Sequence, residues 1–339
     1  MTTSGSRRPT MADVAARAGV DRAVVSRVLN ADPTLKIKDA TRGRVLAAVA
    51  ELDYRPNAIA RSLRTARTST FGLVIPDFAN PIWAEIVTAI EEEADRHGLL
   101  MVTGSARPGS GRAGHFLELL RSGRVDGLLV AAPVAAELLP TARERLAWIS
   151  LNQRIPGHDR YVLFDDPAAV ELAVDHLVGL GHRDIAHIAG PDALDSARRR
   201  LEGFRAAMRA RGLDADRVVA GAYTAEGGEQ AMRALLARAP RPTAVVAGNV
   251  ASATGALNAA RSAGVRVPEQ VSVIAIHDLP LAHYLQPPLT TVRMPVAELG
   301  RHALRTLLTT AADEDVTTVV SDPIEIVLRA STAAPPAGL

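Results

Sequence analysis

Residues 19–30, GVDRAVVSRVLN, place Val20, Val24 and Val28 four residues apart, with Val25 and Leu29 on the same side. That spacing predicts a short helix with one apolar stripe. The other side carries Asp21, Arg22, Ala23, Ser26, Arg27 and Asn30. Such a face is either simply solvated or shaped to meet a polyanion. Just upstream, TMADVAARA predicts a first helix, with Thr10 as its cap and Asp13 at the third position to answer it. Val14, Ala15 and Ala18 are small, so a second helix can approach closely. Gly19 supplies the turn between them, and Asp21 is placed to cap the second helix. Two helices joined at a glycine with almost no linker make a helix-turn-helix unit. A third pattern, DATRGRVLAAVAELDY (39–54), sets Val45, Leu46, Val49 and Leu52 at helical spacing to close a small core. A core of that size implies modest stability on its own.

Charge separates this segment from the rest. Residues 1–67 hold 13 Lys and Arg against 6 Asp and Glu, whereas the remainder holds 26 against 31. A basic module on an acidic body points to a polyanionic partner for the module alone, a solubilising basic segment being the other reading. The chain has no cysteine, which excludes disulfide and thiolate chemistry and suits a reducing compartment. It has no run of eighteen apolar residues, and MTTSGSRRPT has no apolar signal-peptide core, so the expectation is a cytoplasmic protein. The segment YRPNAIARSLRTARTST (54–70) is helix-permissive for about two turns, a length that is marginal in water and orders only against a surface.

From residue 71 the texture alternates between strand and helix. Apolar, β-rich runs occur at FGLVIP, LLMVTG, VDGLLVAA, AWISLN, YVLF, DIAHIAG, VVAGAY, TAVVAGN and VSVIAIHD, many separated by amphipathic helices such as WAEIVTAIEEEADRHG. This pattern predicts parallel sheets covered by helices, in two similar lobes. Asn80 follows the first of these strands, Asn152 the fourth, Asn249 the eighth and His277 the ninth. Open α/β sheets bind ligands beyond the carboxyl ends of their strands, so two facing lobes would enclose a polar cleft for a small molecule. The closing TAAPPAGL reads as a frayed tail.

Seven stretches in this order, MADVAARAGVDRAVVSRVLN, TRGRVLAAVAELDYRPNAIARSLRT, GLVIPDFANPIWAEIV, HLVGLGHRDIAHIAGP, RLEGFRAAM, VSVIAIHD and PPLTTVRMPVAELG, carry a resemblance. Together they resemble the lactose/purine repressor (LacI/GalR-type) family of bacterial transcriptional regulators, over about residues 9–332. The resemblance implies a three-helix DNA-binding domain at 10–55 behind a disordered tip (1–9), and a hinge helix and linker at 56–69. Beyond these it implies a two-lobed α/β domain like the periplasmic sugar-binding proteins. One lobe comprises 70–163 with 293–320, the other 164–292 with 321–332, and 333–339 form a tail. It further implies a regulator, a repressor by expectation, that binds a palindromic operator in double-stranded DNA. A sugar or sugar derivative in the cleft would control it, with no cofactor, metal or catalysis. The long leucine-heptad helix of tetrameric members is not found, so a homodimer is expected.

By the same resemblance Arg22 and Ala23 are the positions that most distinguish operators, and Arg27 is a further base contact. Arg22 can give guanine O6 and N7 two hydrogen bonds, worth roughly 1–3 kcal/mol of discrimination. Ala23 offers only apolar contact, for instance to a thymine methyl. Thr10, Ser26, Asn30 and Tyr54 fit phosphate contacts, which set register without reading sequence. Asn57, Ala60, Leu63 and Arg64 fall in the hinge-helix pattern, whose leucine wedges between base pairs in the minor groove. Two residues depart from the family. Asp21 stands where Ser or Thr is usual, and Val24 where Thr is usual.

At the cleft, the resemblance gives Trp83 and Tyr223 as aromatic walls, suited to a sugar ring or a base. It gives Asn152, Ser196, Arg200 and Asn249 as polar contacts, beside Asn80 from its place after the first strand, with strand-end or loop hydrogen bonding as the other reading for the asparagines. His277 departs from the pair of carboxylates most members carry there, and Leu194 stands where purine-binding members have an arginine. A periplasmic-type sugar-binding protein would share the body, but it needs a signal peptide and has no use for residues 10–64. No Gly-rich dinucleotide motif, P-loop or nucleophile elbow occurs in the right context. His182 and His187 read as structural.

Overall fold

The computed structural model describes residues 9–30, 32–55, 67–107, 110–134, 138–140 and 144–336, and divides into two units, Met1–Thr68 and Ser69–Leu339. In the first unit, helix α1 spans Met11–Ala18, α2 Arg22–Leu29 and α3 Asp39–Glu51. The backbone N–H and the hydroxyl of Thr10 both donate to Asp13 Oδ2 at 2.7 Å, and the Thr10 hydroxyl accepts from the Asp13 N–H at 3.4 Å. This is the reciprocal capping box the sequence predicts. Gly19 closes α1 in the left-handed conformation (φ 63°). Asp21 holds the N-cap position of α2 but its side chain caps nothing, contrary to the expectation.

Val14, Val25 and Val45 are fully buried where the three helices meet, with Ala15, Ala18, Val28, Ala48 and Tyr54 around them. Full burial of such a side chain contributes roughly 1.5–3 kcal/mol, so this core rests on a handful of residues. Leu46 does not join it and stays 50% exposed. On a helix the neighbours of Val45 are three and four residues on, so Ala48, Val49 and Leu52 line the inner stripe and Leu46 turns outward.

Among its described residues the second unit contains two six-stranded sheets. Their strands are β1 Thr70–Ile75, β2 Leu100–Ser105, β3 Gly127–Val130, β4 Trp148–Leu151, β5 Arg160–Phe164, β6 Ile185–Ala189, β7 Val218–Ala220, β8 Ala244–Ala247, β9 Ser272–Ile276, β10 Thr290–Arg293, β11 Val316–Val320 and β12 Glu325–Val327. The first sheet runs β11-β5-β4-β3-β1-β2 with every pair parallel. The second runs β12-β10-β9-β8-β6-β7, parallel except for β10 against β12. All nine anticipated strands are present. The last three were not anticipated, and two of them, β11 and β12, are short edge strands with incomplete burial.

Helices α4 (Ile82–Arg96), α5 (Arg112–Arg121) and α11 (Val296–Thr309) pack on the first sheet. On the second sheet lie α6 (Asp166–Gly179), α7 (Asp195–Ala210), α8 (Ala225–Leu236), α9 (Val250–Ser262) and the short α10 (Leu281–Tyr284). The central strands β3, β4, β6, β8 and β9 are buried along their whole length because both faces are covered. The chain passes between the lobes three times: after β5, after β10 and between β11 and β12. The final segment is less free than its composition suggests. The Ala333 carbonyl accepts from His182 Nε2 (2.8 Å), and the Ala333 N–H donates to Ser272 Oγ (3.0 Å). Buried His182 is thereby a fastener for the tail. His187, fully buried, bonds the Val246 carbonyl and stacks on Phe204.

Candidate functional site

In the first unit, the valine stripe of α2 turns inward and leaves Arg22, Ala23, Arg27 and Asn30 exposed, with Ser26 half-buried. The two arginines differ. Arg22 has no ion-pair partner among the described residues. Arg27 Nε donates to Asp32 Oδ2 (2.8 Å) and its Nη2 to Thr34 Oγ1 (2.9 Å), folding it over the turn after α2. Those bonds, with the Thr34 contacts, hold the Asp32 carboxyl down at about 2. Asn30 donates to the Ser26 carbonyl at 2.7 Å, and the Thr10 hydroxyl is engaged in its cap. Tyr54 is a core residue, 8% exposed, rather than a surface one. Asn57, Ala60, Leu63 and Arg64 lie outside the described residues.

In the second unit, Asn80, Trp83, Asn152, Ser196, Arg200, Tyr223, Asn249 and His277 all line one cavity of about 510 Å³. Its walls come from the segments after β1, β2, β3, β4, β6, β7, β8 and β9 and from the helices that follow several of them, hence from carboxyl ends of strands in both sheets. Apolar contacts come from Ile82, Trp83, Ile86, Leu194, Val250 and Leu279. The volume is that of an ordinary small-molecule site.

The polar floor is a buried ion-pair cluster that the sequence concealed. Asp166 is completely buried between two consecutive arginines of α7, 2.6 Å from Arg199 Nη1 and 2.6 Å from Arg200 Nε. Arg199 also bonds Asp195 (2.8 Å), the Phe164 carbonyl (2.7 Å) and Asn152 Oδ1 (2.9 Å). Arg200 donates through Nη1 to the Gly248 carbonyl (2.6 Å) and the Tyr223 hydroxyl (3.4 Å), and through Nη2 to His277 Nε2 (2.6 Å). His277 is 4% exposed with φ 69°. Burial, then the Arg200 charge, pushes its pKa well below the usual imidazole value, so the ring is neutral. Burial likewise raises the Tyr223 hydroxyl.

Two asparagines serve the backbone. Asn249 caps α9, its Oδ1 accepting from Ser252 N–H (2.8 Å) and its Nδ2 donating to the Tyr223 carbonyl (3.3 Å). Asn80 Oδ1 accepts from Ile82 N–H at 3.4 Å. Asn152 has a left-handed backbone (φ 52°), which asparagine tolerates better than most residues. Gly190 and Gly248 also belong to the site: a Cβ at Gly190 would lie 2.3 Å from the Tyr223 ring and one at Gly248 2.9 Å from it. Asp166, Arg199 and Gly190 gave no sequence signal, since RRR reads as a solvated helix face and DD as a loop.

The chain's relationships agree with this construction. Residues 10–57 match the model of the bacterial regulatory proteins, lacI family, and residues 174–332 that of the periplasmic binding protein-like domain. The ribose operon repressor of Escherichia coli (strain K12) is 37% identical over 314 residues, spanning 88% of this chain and 92% of that one. The chain belongs to the lacI family of bacterial regulatory proteins. It is a DNA-binding transcriptional regulator and not an enzyme. The structure of the lac repressor dimer bound to operator and the anti-inducer ONPF superposes with a TM-score of 0.86 at 29% identity, covering 97% of this chain and 100% of that one. A lacI-family regulator from Enterococcus faecium with bound ribose gives a TM-score of 0.69 at 27% identity, covering 78% and 99%. Among the described residues of this lacI-family regulator, no helix is long and apolar enough to cross a membrane.

Proposed function

We propose that this regulator acts in the cytoplasm as a homodimeric repressor on a two-fold symmetric operator, and that a sugar in the cavity sets its affinity for DNA. Arg22 and Ala23 lie in the major groove, Arg27 contacts a base once it leaves Asp32, and Thr10, Ser26 and Asn30 hold phosphates. Tyr54 reaches phosphate only through its hydroxyl. Asn57, Ala60, Leu63 and Arg64 form the minor-groove hinge. The observation that carries the reading is the convergence of eight side chains from both sheets on one cavity, in a chain whose other unit is a helix-turn-helix. The ribose bound to the Enterococcus faecium relative and the ribose operon repressor's name support a sugar.

A thermal-shift screen of pentoses, hexoses and nucleosides tests the ligand class. Operator enrichment from a random duplex library, followed by gel shifts with and without the hits, tests the switch. A sugar that raises Tm and changes operator affinity is the expected result. Failure of every small molecule to do either contradicts the reading.

A further inference from the structure

Among the described residues, every cation that lines the cavity is already occupied by the protein itself. Four of Arg200's five N–H donors are used, by Asp166, the Gly248 carbonyl, Tyr223 and His277. A guanidinium recognises a carboxylate or phosphate best through two parallel N–H groups, and Arg200 has one left. Arg107, at the rim, pairs with Asp77 at 3.2 Å.

Helix N-termini, the other common anion holders, open on the cavity at α4, α7, α8 and α9, but each is already answered. Glu85, Asp195 and Glu226 stand in the first turns of α4, α7 and α8, and Asn249 caps α9. Glu226 itself lines the cavity and has no cationic partner among the described residues.

His277 closes the last edge of Arg200. Arg200 must donate, so Nε2 of the neutral ring is the acceptor and the ring proton sits on Nδ1. That Nδ1 is buried with no partner, and the backbone carrying it is left-handed. The arrangement therefore bears two local costs, and its gain is an imidazole seated on the guanidinium.

We propose that the cavity selects an uncharged polyhydroxyl ligand and rejects its phosphorylated or carboxylated counterpart, and that His277 enforces the selection by occupying the guanidinium edge an anion would need. The proposal rests on the sugar reading above and narrows it to neutral sugars. Hydroxyl groups need single hydrogen bonds rather than a free charge, which the remaining Arg200 N–H and the Ser196 and Tyr223 hydroxyls supply.

Calorimetry with two matched pairs, D-ribose against D-ribose 5-phosphate and D-glucose against D-glucose 6-phosphate, tests this on the full chain. The neutral member of at least one pair binds, and its phosphate binds at least tenfold more weakly. His277→Ala opens the edge and narrows that ratio at least threefold. His277→Asn, which suits the left-handed backbone and still presents an acceptor, keeps it. A phosphate that binds the unmodified chain as tightly as its sugar overturns the proposal, as does a ratio unmoved in a folded His277→Ala variant. If none of the four probes binds, the proposal fails, while the underlying sugar reading stands or falls with the thermal-shift screen. A histidine nitrogen spectrum adds a readout free of ligand: His277 must show the Nδ1–H tautomer at pH 7, and the Nε2–H tautomer contradicts the account.

Discussion

Arg22 and Arg27 share one helix face yet stand in different states, and this sets the expected hierarchy of operator contacts. Arg22 is unpaired among the described residues, whereas Arg27 must give up Asp32 and Thr34 to turn toward a base. Arg22→Ala should cost about 1–3 kcal/mol of discrimination and relax preference at one base pair, with weaker binding elsewhere nearly uniform. Competition across single-base variants of the selected operator measures this. A uniform loss at every position would make Arg22 a phosphate contact instead. In the cavity, Gly190→Ala drives a methyl into the Tyr223 ring. The expected result is at least a tenfold loss of sugar affinity by calorimetry with the fold retained by circular dichroism. An unchanged affinity would remove Tyr223 from the proposed contact set.

At the scale of elements, α4 and α11 are joined by a buried carboxylate. Glu93, 3% exposed, accepts from Arg305 Nε (2.8 Å) and Arg96 Nη1 (2.5 Å). These partners, Arg305 foremost, hold its pKa at about 2. A carboxylate depressed on folding adds stability that is complete above its unfolded value, about 4.3, and drains away as pH falls from there toward 2. Glu93→Gln should therefore lower Tm at pH 7 and flatten the loss of stability between about pH 5 and 2. Parallel Tm-versus-pH curves for the two proteins would refute that.

Strands at this scale were legible where both faces are buried, as in GLLV and AVVA. The Thr-rich β11 and three-residue β12 sit at sheet edges and bury too little to leave an apolar run. Asn80, Asn152, Asn249 and His277 were legible because they follow strand ends, whereas Trp83 on α4, Ser196 and Arg200 on α7, and Tyr223 were legible through the family resemblance. Their supporting charges were not, because burial of Asp166 between Arg199 and Arg200 is a product of tertiary packing. Local pattern could not separate a cap from a contact either, as the engagement of Asn249 in capping α9 illustrates.

Across the whole chain, three passages join the lobes, and the cavity takes its lining from both. A ligand acts on DNA binding only if it binds two lobe arrangements with different affinity. A coupling of about 1–3 kcal/mol, or 5–150-fold, is typical of such switches. On the proposed hinge role, Leu63→Ala should weaken specific operator binding while sugar affinity of the same protein stays within twofold. Unchanged operator affinity in a gel-shift titration would rule out the wedge.

The most direct test of the account is operator affinity by fluorescence anisotropy, measured on one selected duplex with and without a saturating sugar that raises Tm. The account predicts a change of roughly 10–100-fold. An operator affinity that stays the same while calorimetry shows the sugar bound would contradict it.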